Sequence, residues 1–164
     1  MATTTSYAQD NSAVSAADGI TERNANLTLS SYTSLTVPPG ATVNGITLTW
    51  TGGTTGWNEE DEVMFVNNGG AAFSEPLSAT SGTSTEGSKA PFGILIFGGS
   101  TNLWGLTWTP DQANSISTKF TVVGEDQTAY HDAFQIAIHY TLLPSGKIII
   151  PSGLVKISSG KITL

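Results

Sequence analysis

The chain has no cysteine among its 164 residues. That excludes disulfides and thiolate metal sites, and it fits a protein made in a reducing cytosol. Charge is also scarce: 12% of residues are Asp, Glu, Lys or Arg, with a net balance of −7. Basic residues are the scarcest, with Arg23, Lys89 and Lys119 against all thirteen acidic residues up to Leu143, and Lys147, Lys156 and Lys161 beyond it. Such an acidic body repels phosphate backbones, so no nucleic-acid partner is expected for the folded domain. No apolar run approaches the roughly 18 residues of a membrane helix, so no membrane partner is expected. The opening MATTTSYAQD lacks the basic and apolar regions of a secretion signal.

What the chain does have is Gly, Ser and Thr, the composition of an all-β domain with long loops. Its organising stretch is Pro91 to Leu143. There Phe134, Ile136, Ile138, Tyr140 and Leu142 alternate with Ala133, Gln135, Ala137, His139 and Thr141, the period of a half-buried strand. Ile94 to Phe97 is an apolar run closed by Gly98 and Gly99, and Phe120 to Val123 is another closed by Gly124. We expect these three runs to be neighbouring strands of one sheet core, with Trp104 and Trp108 on one face of the corner between them and Gly105 allowing close backbone passage.

Residues 1–23 are polar and without period, and read as an N-terminal arm, either loosely attached or ordered against a neighbouring subunit. Asn26 to Thr36 reads as a strand stopped at Pro38-Pro39-Gly40. Ala41 to Trp50 is a second strand with Ile46, Leu48 and Trp50 on one face and Thr47 and Thr49 on the other. Val63 to Val66 is a further strand, and Gly69 to Lys89 is a long loop, of a length that marks either a binding loop or a mobile one, with one short strand near Ala72 to Leu77. Thr109 caps a single helical turn over Pro110 to Ser117. Seven or eight short strands at these spacings give an all-β fold, a two-sheet antiparallel sandwich or jelly roll over residues 24–143.

Residues 144–164 form a separate C-terminal tail of three seven-residue units, PSGKIII, PSGLVKI and SSGKITL. A glycine in every unit and the β-branched residues argue against a helical heptad and for a turn and a short strand per unit. Ile148, Ile150, Val155, Ile157, Ile162 and Leu164 are the assembly residues of this tail, because so short a segment cannot bury them alone. We expect them to pair with another subunit rather than with the parent sandwich.

Enzyme chemistry finds little support. Glu59, Glu60, Asp61 and Glu62 are a contiguous acidic run without calcium-loop spacing. His131 reads as part of a turn entering the last strand, and His139 as a satisfied strand histidine; neither has a nucleophile or metal-ligand motif around it. No catalytic residue, metal site or cofactor is assigned. The alternative class is a carbohydrate-binding module of a phage tail or receptor-binding apparatus, in which Trp57 in a Gly/Thr loop offers the stacking face while Trp50 and one of Trp104 or Trp108 belong to the core.

The succession PPGATVNGITLTW, GGSTNLWGLTWTP, KFTVV and AFQIAIHYTLL resembles β-sandwich structural proteins of tailed-bacteriophage virions. The resemblance spans roughly Leu35 to Leu143 and is sharpest from Gly98 to Pro110. It implies a non-enzymatic virion component such as a capsid decoration or cement protein, a head-fibre protein or a tail-associated module. The location it implies is the virion, after synthesis in the host cytoplasm. The partners it implies are copies of the same chain, a trimer being favoured, and other virion proteins such as the major capsid protein.

Overall fold

Alternation along two long strands sets the architecture. The computed structural model describes residues 1–7, 22–23, 26–29, 32, 34–54, 62–83, 85–86, 93–122 and 129–142. Its elements are β1 (Ala2–Tyr7), β2 (Glu22–Arg23), β3 (Asn26–Leu29), β4 (Thr42–Thr54), β5 (Glu62–Asn67), β6 (Leu77–Ser78), β7 (Ser81–Thr83), β8 (Thr85–Glu86), β9 (Gly93–Gly99), α1 (Pro110–Asn114), β10 (Ser117–Val122) and β11 (Ala129–Thr141). One sheet has the order β1-β11-β4-β9-β7, with β2 also on β11 and β8 on β4; the other has the order β3-β10-β5-β6. Pairing is antiparallel except for the short β4–β8 contact. The protein is an all-β sandwich of two packed sheets.

The facing sides follow from the sequence period. On β4, Ile46, Leu48 and Trp50 are buried, as are Phe134, Ile136 and Ile138 on β11 and Leu95 and Phe97 on β9. From the second sheet come Leu29, Met64, Val66 and Phe120. Phe120 is the meeting point: its ring lies 4.9 Å from that of Trp50, nearly stacked, and edge-on to Phe97 and Phe134 at 6.5 and 5.7 Å. Each such fully buried side chain contributes about 1.5–3 kcal/mol of apolar transfer free energy. On the outer face of the larger sheet, β4 and β11 present Thr47, Thr49, Gln135, Ala137 and His139, small or polar groups that tolerate water, while β9 adds Ile94, 49% exposed, and Ile96.

Two expectations about the strands fail. The runs Ile94–Phe97, Phe120–Val123 and Phe134–Leu142 are not neighbours in one sheet: β4 separates β9 from β11, and β10 belongs to the opposite sheet. Apolar runs mark strands that reach the core, and a core is reached equally well from either side of a sandwich. Leu142, expected to face inward with Phe134, is 56% exposed, because β11 ends one residue earlier.

The N-terminal segment also departs from a loosely attached arm. Ala2 to Tyr7 pairs with β11 from Tyr140 to Gln135, and Glu22 and Arg23 continue along the same edge opposite His131 and Tyr130. A run of Thr and Ser has no apolar face to advertise a strand, yet backbone pairing with an existing edge suffices to place it. The stretch from Gly69 to Lys89, expected to be a loop with one strand, holds β6, β7 and β8. The helical turn forms with Thr109 as its cap, as its sequence indicates, but stops at Asn114.

Candidate functional site

Two histidines are the only imidazoles in the chain, and both are hydrogen-bonded to side chains of other strands. His131 lies within β11, not in a turn ahead of it, and is fully buried. A bulge opposite Thr51 and Gly52 absorbs Asp132, so His131 and Phe134 both face the core although three residues apart. The Trp50 indole N–H donates to His131 Nδ1 at 3.0 Å. An indole only donates, so Nδ1 carries no proton and the ring is the neutral Nε2–H tautomer. It packs edge-on to Phe120 at 5.1 Å and against Phe134 at 5.2 Å. His139 sits on the outer face between Thr3 and Thr47, with its Nδ1 3.2 Å from one hydroxyl and its Nε2 2.9 Å from the other. Partial burial holds its pKa below the ordinary 6.5.

Among the described residues, a concave feature is built at the corner after β9. Gly98, the last residue but one of β9, has φ +73°, and a Cβ there would stand 2.4 Å from the Ile46 carbonyl oxygen and 2.8 Å from the Trp104 indole nitrogen. Only glycine permits both the backbone and the approach. Through that gap the Trp104 indole N–H donates to the Ile46 carbonyl at 3.0 Å, and Trp104 is buried to 3% exposure. Its own backbone is left-handed, φ 61°, followed by Gly105 at φ 69°. A bulky residue pays strain in that region, so the surroundings must hold it there. They do: the Asn102 side-chain oxygen accepts from Trp104 N–H at 2.8 Å, and Asn102 C=O accepts from Ile46 N–H at 2.9 Å. Trp108 is half-buried, with its indole N–H on Leu103 C=O at 3.0 Å.

The opposite wall is the segment between β5 and β6. Ser74 ties it to the sheet, its N–H donating to Val66 C=O at 2.7 Å while its Oγ accepts from Val66 N–H at 3.0 Å. Between this wall and the corner lies a cavity of about 370 Å³ lined by Phe73, Ser74, Glu75, Leu77, Asn102, Trp104, Gly105 and Leu106. Volumes of about 300–1,000 Å³ are usual for ligand pockets. Its carbon-rich lining and the single exposed carboxylate, Glu75, suit an apolar group with a polar or cationic end rather than an anion.

The corner was singled out by its sequence; the facing wall lies in the Gly69 to Lys89 stretch, which was marked only by its length, as a binding or a mobile loop. Phe73 and Leu77, two large apolar residues in a stretch of Gly, Ala, Ser and Thr, are the signal that marks it in the sequence. Trp50 and Trp104 are core residues, as alternation indicated for Trp50 and one of the later pair. Trp57, most of the Glu59 to Glu62 run, and the tail residues Ile148, Ile150, Val155, Ile157, Ile162 and Leu164 lie outside the described residues. Among the described residues there is no group of three or more His, Asp or Glu that could hold a metal ion, and no helix long and apolar enough to cross a membrane. Comparison with protein-family models, with curated proteins and with solved structures finds no match to this chain.

Proposed function

We propose that the chain is a non-enzymatic structural protein of a bacteriophage virion, a capsid decoration or head-fibre component that assembles with copies of itself through its C-terminal β tail. The observation that carries this reading is how the reactive side chains are used. His131 is committed to the indole of Trp50 inside the core, and His139 spans two threonine hydroxyls on the outer face. Groups that a catalytic site would aim at substrate serve here to fasten strands. The sandwich itself is a scaffold compatible with many roles, so it supports the reading only in part.

A component of this kind works as a symmetric oligomer. Light scattering on the full-length chain tests this directly: a mass that is a whole multiple of 17.0 kDa, with a trimer favoured, is the expected result. A strict monomer at all concentrations overturns it.

A further inference from the structure

The pocket at the Trp104 corner is apolar inside and acidic at its rim. Phe73, Leu77, Trp104 and Leu106 supply carbon, and the exposed Glu75 supplies charge. It opens at the end of the sandwich where β11 finishes. There the Asn44 side chain donates to Thr141 Oγ1 at 2.8 Å, and Ile46, two residues further along β4, donates its N–H to the carbonyl of Asn102 in the pocket wall at 2.9 Å. The chain beyond Leu142 therefore departs from the same end as the pocket, with β4 lying between β11 and β9.

That departing chain repeats one chemical feature. Lys147-Ile148, Lys156-Ile157 and Lys161-Ile162 each set a cation beside a branched apolar side chain, once in every seven-residue unit. Half of all the positive charge in the protein is in these three lysines. An apolar side chain with an adjacent ammonium complements an apolar pocket with a carboxylate rim, and burial drives the contact while charge fixes its register.

Resting on the assembly reading above, we propose that this pocket is the receptor for a Lys-Ile unit of the C-terminal tail of a neighbouring copy of the chain. The number of units argues for a neighbour: the chain's own pocket is filled by a single unit, whereas three on one tail are of use when several copies are to be linked. Tails exchanged in this way bind multivalently, with the second contact helped by the first.

The absence of cysteine makes the test clean. Full-length Glu75→Cys is mixed with a tagged full-length chain carrying Lys147→Cys, Lys156→Cys or Lys161→Cys, and the mixture is oxidised mildly. All four positions are polar, and Glu75 is exposed, so the sandwich is left intact. A disulfide needs Cα atoms within about 4.4–6.8 Å, so trapping reports seating. The expected result is a mixed disulfide dimer well above the self-dimers of either chain, for at least one of the three lysine positions. It should fall when Ile148, Ile157 and Ile162 of the tagged chain are changed to Ser. No mixed dimer at any position overturns the proposal. So does trapping confined to monomers of a doubly substituted Glu75→Cys, Lys147→Cys chain, which would place the tail on its own sandwich. Light scattering on the same samples separates the two failures: an oligomer without trapping removes the pocket from the interface and leaves self-assembly standing, whereas a monomer removes both.

Discussion

Trp104 combines a left-handed backbone with a buried indole, and the two are linked through the gap at Gly98. Trp104→Ala should therefore cost about 3–5 kcal/mol, as truncation of a large core side chain does. Trp104→Phe should lose a smaller amount, about 1–3 kcal/mol, by leaving the Ile46 carbonyl without its indole donor. Urea unfolding of both variants checks the order; an unchanged stability in Trp104→Phe would mean that the hydrogen bond contributes nothing, and equal losses that the ring's packing adds nothing to it. The burial of Trp50 was legible in the sequence because alternation places it with Ile46 and Leu48. The left-handed turn at Trp104 was not, since nothing in a tryptophan favours positive φ and only the tertiary bonds of Asn102 and Ile46 impose it. His139 gives a prediction of a different kind. Burial lowers its folded-state pKa below the unfolded value of 6.5, so the folded form binds fewer protons in the interval between the two values. The stability it contributes is complete above the unfolded value and is lost as pH falls through 6.5 toward the folded one. Comparing wild type with His139→Gln at pH 7.5 and 5.5 should show the wild type losing more stability on acidification; identical losses would refute this.

At the scale of elements, α1 is a single turn that survives because both ends are tied. Thr109 Oγ1 accepts from Gln112 N–H at 3.2 Å while Gln112 Oε1 accepts from Thr109 N–H at 2.9 Å, a reciprocal cap. At the other end Asn114 clamps Val37, accepting from its N–H at 2.7 Å and donating to its carbonyl at 3.0 Å. Thr109→Ala should cost about 0.5–2 kcal/mol. Asn114→Ala should cost more, because it strands two backbone groups of a buried residue at once. Thermal unfolding of the pair gives the comparison. The cap was readable from Thr109 and Pro110 because its signal is local, whereas the reciprocal bond from Gln112 came only with the structure. The Asn114 clamp was not, because Val37 is 77 positions away and no short-range pattern announces it. The same contrast explains the strands. β4 and β11 declare themselves by alternation, whereas β1 has only backbone to offer, and the sheet to which β10 belongs depends on which face meets Trp50.

For the whole molecule, the buried apolar cluster of the described residues, from Leu29 to Ile138, already draws on both sheets. Truncation after Leu143 should therefore leave a cooperative melting transition close to that of the full chain while abolishing or weakening association. Calorimetry together with light scattering reads both quantities. Loss of the transition would assign the tail to the core of its own domain. In the full-length chain, part of the association should weaken with added salt, because charge pairs at an interface rim are screened over about 8 Å at physiological ionic strength.

Ala2 pairs with Tyr140, so Met1 and Leu142 emerge side by side, both exposed. The path of the sandwich thus returns almost to its starting point, and a short linker between Leu142 and Met1 would close it into a ring. Such a ring can be reopened elsewhere: a circular permutant that begins within the turn at Asn68–Gly69 would keep every strand pairing while moving the free ends to another loop. A fluorophore or fusion partner attached at Met1 would, by the same adjacency, stand next to the root of the tail.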